Sequence, residues 1–158
     1  MRALFVLLAL TACTSDLTTP SDTGTPAPTE GTLALTFRID TDYQAAMDEP
    51  AIGTFYGSFW RGSEVTSLGP DDGAEDLGGI EVALDLTAAN PTGVLLTSDP
   101  LPAEEIVVLG FLDSDANAVP GAPEPDTKDP VTLPNDNDFD VVGGEETTVE
   151  VFLGFLNP

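Results

Sequence analysis

The chain has 158 residues, of which 28 are Asp or Glu and only 4 are Lys or Arg, so its formal net charge is −24. This length predicts a single domain with enough chain to bury a core, and it excludes a multidomain enzyme. With no His and one Cys, the chain has no means of building Ser-His-Asp or Cys-His nucleophilic sites, or ordinary His/Cys zinc sites. Nucleic acid is not an expected partner, because proteins neutralise phosphates with Lys and Arg. The 41% of hydrophobic residues, with 15 Gly and 14 Pro, indicate a folded all-β domain rather than disorder.

The first residues combine three features of an export signal. A short basic start precedes an apolar run over residues 3–10, and the tetrapeptide Leu10-Thr11-Ala12-Cys13 follows at once. This tetrapeptide is similar to the lipobox of bacterial lipoprotein signal peptides, and an ordinary secretory peptide is the alternative. The resemblance implies that residues 1–12 are removed and that Cys13 carries fatty acids such as palmitate.

Two or three acyl chains on Cys13 would anchor the protein stably in a membrane. The resemblance also implies the outer membrane, because an Asp after the lipidated Cys favours inner-membrane retention and Thr14 stands there instead. Whether the domain faces the periplasm or the cell surface stays open. An apolar run of eight residues is too short to cross a bilayer as a helix, so we expect no transmembrane span in the mature chain.

Residues 13–30 comprise the lipidated Cys and a stretch rich in Thr, Pro and Ser with almost nothing to bury. This composition is typical of a disordered tether. Seventeen flexible residues span roughly 20–25 Å, which would hold a domain clear of the lipid headgroups.

From residue 31 the pattern changes to alternating apolar and polar residues, which predicts half-buried strands. The stretch from Ile106 to Leu112 is apolar on both faces, which predicts a strand at the centre of a covered sheet. Turn residues separate seven predicted strands: 31–40, 52–65, 78–87, 93–98, 104–113, 138–143 and 147–156. Seven strands in residues 31–158 favour a single antiparallel β-sandwich. The pattern resembles the Ig-like or transthyretin-like sandwiches of bacterial surface lipoproteins, and this resemblance implies an architecture only.

The loop after the fifth predicted strand contains alternating oxygen-bearing side chains. The spacing resembles the calcium loop of EF-hand proteins, which implies ligands from Asp113, Asp115, Asn117, the carbonyl of Val119, and Glu124. Asp126 is an alternative to Glu124 as the closing carboxylate. Ala118 stands where the family has Gly, and strand and Pro-rich coil replace the two helices, so an acidic solvated turn is the other interpretation. A second acidic group, Asp40, Asp42, Asp48 and Glu49, follows the first strand. If the strands run alternately up and down, Asp40 and Asp42 are expected to lie near Asp113 and Asp115.

Aromatic residues on the second predicted strand are the other candidate site. Tyr56 and Trp60 share one face of the strand, while Phe55 and Phe59 share the other, so one pair is a candidate for exposure. Exposed Tyr56 and Trp60 would suit carbohydrate stacking, and core packing is the simpler alternative. The acidic pairs Glu104-Glu105 and Glu145-Glu146 point to opposite faces of their strands. They therefore favour solubilising edge charges over a glycosidase.

Together these patterns predict a non-enzymatic, lipid-anchored domain of the bacterial cell envelope. We expect it to act structurally or to bind an envelope protein or polysaccharide, with a structural calcium ion as a candidate cofactor and the membrane reached through Cys13. The alternative is a carbohydrate-binding surface module, which would expose Tyr56 or Trp60 in a shallow groove. An enzyme would show a deep cleft with converging carboxylates. A saline habitat is another explanation of the acidity.

Overall fold

A computed structural model describes residues 26–87 and 93–158. The predicted signal peptide, the lipobox with Cys13 and the first part of the tether lie outside the described residues, as do residues 88–92. No helix in the described ranges is long and apolar enough to cross a membrane.

The described chain is mostly β-structure, with 48% strand and 8% helix, which confirms the all-β prediction. Its strands, in chain order, are β1 (Glu30–Ile39), β2 (Ile52–Arg61), β3 (Val65–Thr66), β4 (Gly69–Pro70), β5 (Gly79–Asp85), β6 (Leu96–Thr97), β7 (Leu101–Pro102), β8 (Glu105–Asp113), β9 (Pro130–Thr132), β10 (Asp138–Asp140) and β11 (Glu146–Leu156). One short α-helix, α1 (Thr41–Gln44), follows β1, and 3₁₀ turns occupy Gly62–Glu64 and Pro134–Asp136.

Seven strands form one curled sheet in the order β5-β2-β8-β9-β11-β1-β6. Two further strands join it, since β10 pairs with β8 and β7 pairs with β1, while β3 and β4 form a separate hairpin. The short strand β9 hydrogen bonds to both β8 and β11, and thereby joins the two halves of the sheet.

The sheet is mixed, which corrects the prediction of a purely antiparallel arrangement. β1 and β11 run parallel from the pair Thr32–Glu146 to the pair Ile39–Leu153. Between them the chain builds the other half of the sheet. It then re-enters beside the start of β1, where the Gly144 N–H donates to the Glu30 carbonyl at 2.7 Å. A parallel pair requires such a long crossover.

The core lies inside the curl and is built from the inward residues of the long strands. The Phe37 ring of β1 packs against the Phe55 ring of β2, with 5.0 Å between centroids, so the two halves meet through aromatic contact. β8 lies between β2 and β9, and both Val107 and Phe111 on its outer face are buried. The prediction that this strand is central is therefore confirmed, and its outer face is buried at Val107 and Phe111 but only half-buried at Leu109.

All seven predicted strands are present, and three of them are clearly shorter than predicted. The second ends at Arg61, because the chain turns there through Gly62–Glu64. The fourth is reduced to the two residues of β6, and the sixth ends at Asp140. The strands β3, β4, β7 and β9 were not predicted, because two or three residues are too few to show alternation.

Candidate functional site

The outward aromatic residues of β2 mark the most distinctive surface of the described chain. Phe55 and Phe59 face the core with 0% and 3% exposure, whereas Tyr56 and Trp60 are half-buried on the outer face. The two-residue period of a strand forces this division. The structure thus decides which of the two predicted pairs faces outward.

A groove with a volume of about 450 Å³ lies over the outer face of β2 and β8. Tyr56 is directly opposite Phe111 in the register of these strands, and their rings are 5.8 Å apart at 38°. The groove is lined by Tyr56, Gly57, Ser58, Trp60, Pro70, Leu109, Gly110, Phe111, Pro123, Pro125 and Val131. Its size and largely apolar lining are typical of small-molecule sites.

The floor of the groove rests on two glycines that face each other across the strands. Gly57 pairs with Gly110, and the ring of Phe55 covers both from the core side. A Cβ on Gly110 would collide with the Tyr56 carbonyl oxygen and with the Phe55 ring. Glycine is therefore required here for β2 and β8 to pack closely beneath the groove.

Prolines from two separate segments form the walls. Pro70 comes from the hairpin β3–β4, and Pro123 and Pro125 come from the loop between β8 and β9. The Asn157 side-chain amide donates to the Pro125 carbonyl at 3.2 Å and to the Asp126 carbonyl at 2.7 Å. These bonds tie the proline wall to the end of β11.

The lining of the groove contains no Asp, Glu, Lys or Arg. The Ser58 hydroxyl donates to Asp76 Oδ2 at 2.8 Å, and the other oxygen of Asp76 accepts from the Gly78 N–H at 2.7 Å. In the described ranges the three basic side chains each pair with a carboxylate: Arg38 with Glu150, Arg61 with Glu104, and Lys128 with Asp48. The groove is thus an uncharged surface within an acidic protein.

The predicted calcium loop forms a second cluster at the end of β8. Asp113 is 5% exposed, and its carboxylate accepts from the backbone N–H groups of Asn117 and Ala118 at 3.1 and 3.3 Å. The Asn117 side-chain amide donates to Asp115 at 2.8 Å and to Asp126 at 2.5 Å. Hydrogen bonds within the loop therefore bring four of the candidate residues together.

The two other candidate ligands are not part of this network. The Val119 carbonyl accepts the Ala122 N–H at 3.1 Å within a turn, and Glu124 is exposed. Asp126, the alternative to Glu124, is the carboxylate that meets Asn117. Over the described residues, no group of three or more His, Cys, Asp or Glu side chains has a metal-binding arrangement.

Asp129 belongs to the same cluster and was missed by sequence reasoning. It is 3% exposed, and its Oδ2 accepts the Asp126 N–H at 3.0 Å. Burial raises the pKa of Asp129 from its ordinary value of 3.8 to about 6, and the charges of Asp126, Asp113 and Asp115 add to this rise. The signal that could have found it is the three-residue spacing from Asp126, which suits a side-chain bond to the backbone of a turn.

A cavity of about 170 Å³ beside this cluster is also lined by Asp48 and Glu49 of the second predicted acidic group. The sequence predicted that Asp40 and Asp42 would approach the loop, whereas the members of this group that line the cavity are Asp48 and Glu49. Asp40, in contrast, caps α1, where its carboxylate accepts the N–H groups of Asp42 and Tyr43. Asp40 is thus used locally to start a helix.

Comparison with known proteins finds no family model, no curated protein and no solved structure that matches the chain.

Proposed function

We propose that the protein is a lipid-anchored β-sandwich domain of the bacterial cell envelope that binds an envelope ligand without catalysing a reaction. The single observation that carries the binding role is the uncharged aromatic groove on β2 and β8. An acidic protein gains nothing in solubility from collecting two outward aromatic residues and three prolines on one surface, whereas a binding site uses such a surface.

The anchoring part of the proposal rests on the sequence. The lipobox ending at Cys13 supplies the membrane attachment, and the Thr/Pro/Ser-rich tether supplies the spacing to the domain that begins at β1. Thr14 supports the outer membrane through the resemblance to lipoproteins, and the alternating strand pattern supports the finer assignment of an Ig-like or transthyretin-like sandwich. A structural calcium ion in the Asp113 loop stays a prediction.

The non-catalytic part of the proposal rests on the groove lining. Its polar side-chain groups are the Tyr56 phenol, the Ser58 hydroxyl and the Trp60 indole N–H. The Ser58 hydroxyl donates to a carboxylate that also binds a backbone N–H, and no imidazole exists in the chain to act as a base. These groups suit recognition rather than nucleophilic catalysis.

A carbohydrate-binding module is the second candidate, and one observation favours it. Tyr56 and Trp60 are the outward pair of β2 and lie in a shallow groove, as stacking platforms for sugars require.

Sedimentation with cell-envelope fragments tests the binding role. The probe protein is residues 14–158, which contains every element that the structure describes. We expect it to sediment with the fragments and Tyr56→Ala to stay in the supernatant. Tyr43→Ala is the matched control, because Tyr43 is the other tyrosine and packs on Phe155 away from the groove. Equal sedimentation of wild-type protein and Tyr56→Ala would contradict the proposal.

Palmitate labelling of the full chain in a bacterial host tests the anchor. We expect label in the wild-type protein and none in Cys13→Ser. A labelled Cys13→Ser protein, or an unlabelled wild-type protein, would remove the anchor from the proposal and leave the groove argument intact.

A further inference from the structure

We infer that the groove binds an uncharged saccharide chain, with sugar rings stacked on Tyr56 and Trp60. This inference rests on the proposed ligand-binding role of the groove and names the class of ligand.

Two flat aromatic side chains are spaced along the groove. Tyr56 and Trp60 are four residues apart on one face of β2, which places them roughly 13 Å apart along the strand. Pyranose rings present C–H faces that pack against aromatic rings, and a chain of several rings would reach both platforms. The groove volume of about 450 Å³ is also larger than a single small ring needs.

Neutral polar groups lie on and between these two aromatic side chains. Ser58 lies midway between Tyr56 and Trp60 on the same face of the strand. Its hydroxyl, the Tyr56 phenol and the Trp60 indole N–H provide donors and acceptors for sugar hydroxyl groups without introducing charge. An apolar surface with a few neutral hydrogen-bonding groups matches the mixed character of a sugar ring.

The charges around the groove disfavour anionic glycans. The groove lining has no cation, and Arg61, which directly follows Trp60, is held by Glu104. Glu81 of β5 lies directly across from Tyr56, and Glu124 separates the two wall prolines. Uronate, sulfate or phosphate groups would therefore meet carboxylates with no compensating charge. A neutral or cationic ligand is favoured.

A basic proline-rich peptide is the other ligand that would suit aromatic and proline surfaces. Glu81 and Glu124 lie outside the lining, so a Lys or Arg of such a peptide would find no carboxylate partner within the groove, whereas the neutral polar groups of the lining suit sugar hydroxyls. The uncharged saccharide is therefore favoured.

The test uses the fluorescence of Trp60, which is the only tryptophan in the chain and so reports on the groove alone. Residues 14–158 are titrated separately with neutral hexasaccharides of glucose, xylose, mannose and N-acetylglucosamine, with a hexagalacturonate, and with a Pro-Arg repeat peptide. We expect at least one neutral hexasaccharide to shift the Trp60 emission with saturation, and the hexagalacturonate to leave it unchanged. Tyr56→Ala should weaken that binding by about tenfold or more, and Tyr43→Ala should leave it within about twofold of wild type.

Tyr56→Leu, which keeps an apolar side chain over Phe111, replaces Tyr56→Ala if circular dichroism shows that the alanine variant is unfolded. Several results would overturn the inference: no response to any neutral hexasaccharide, binding of the hexagalacturonate that equals or exceeds theirs, or equal affinity in the Tyr56 variant. A response to the Pro-Arg peptide alone would overturn the saccharide and leave the groove as a binding site. Failure of all probes together with failure to sediment with envelope fragments would overturn the proposed function as well.

Discussion

Replacing Asp129 by Asn should stabilise the protein at neutral pH. Because the pKa of Asp129 in the folded chain is raised from 3.8 to about 6, its ionisation costs stability as the pH rises through this interval. A difference of about two pKa units corresponds to about 3 kcal/mol of unfolding free energy. The amide oxygen of the substituted side chain would still accept the Asp126 N–H, so the variant removes the charge and keeps the hydrogen bond.

The assay is urea unfolding of wild type and Asp129→Asn from pH 3.5 to 8 in excess EDTA, at fixed ionic strength. We expect nearly equal stability below pH 4, a difference that grows between pH 4 and 6, and a gain of about 2 to 3 kcal/mol above pH 7. A variant that is less stable than wild type at pH 7.5, or a difference in stability that does not change with pH, would show that ionised Asp129 does not destabilise the folded chain.

Three further predictions concern other residues. Asp85→Asn should destabilise the protein at neutral pH with the effect vanishing in acid, because hydrogen bonds from Thr87 lower the pKa of the Asp85 carboxyl; a pH-independent effect in urea unfolding would contradict this. Asn137→Ala should cost about 2 to 4 kcal/mol in the same assay, because the fully buried amide bonds both backbone groups of Phe152 and the Leu133 carbonyl; a cost below about 1 kcal/mol would argue against it. Millimolar Ca²⁺ should raise the melting temperature more than Mg²⁺ does, and at a hundredfold excess over Kd the bound ion should add about 2.7 kcal/mol to the free energy of unfolding. Asp115→Ala should remove the difference between the two ions, whereas equal, small shifts in the wild type would mean a solvated acidic turn.

Much of the sheet could be predicted because its long strands alternate apolar and polar residues. β1, β5 and β11 each have one face in the core, and β8, which is apolar on both faces, lies at the centre of the sheet. The parallel pairing of β1 with β11 could not be predicted, since it joins residues more than a hundred positions apart and leaves no local pattern.

The candidate site was predictable only in part, for a similar reason. The alternation along β2 separates Tyr56 and Trp60 from Phe55 and Phe59, but it does not say which pair faces the core. That choice depends on Phe37 of β1, whose ring packs on Phe55. The groove walls come from Pro70 and from the loop before β9, so no single segment of sequence contains them.

The acidic cluster illustrates the limit of motif spacing. The alternation of Asp113, Asp115 and Asn117 singles out residues that hydrogen bonds connect in the structure, while the calcium ion itself stays a prediction. Asp129 is the carboxylate of this cluster whose pKa is raised. It lies beyond the twelve-residue spacing of the motif and joins the cluster because the loop folds back.

Nuclear magnetic resonance can show whether a ligand occupies the groove over β2 and β8. Residues 14–158 labelled with ¹⁵N give one indole N–H signal, from Trp60, together with the backbone signals. On addition of a binding neutral hexasaccharide, we predict shifts of the indole signal and of the backbone signals of residues 56–60 and 109–111. Shifts confined to the Asp113 loop or to the free edge of β5, with the Trp60 signal unmoved, would contradict the account.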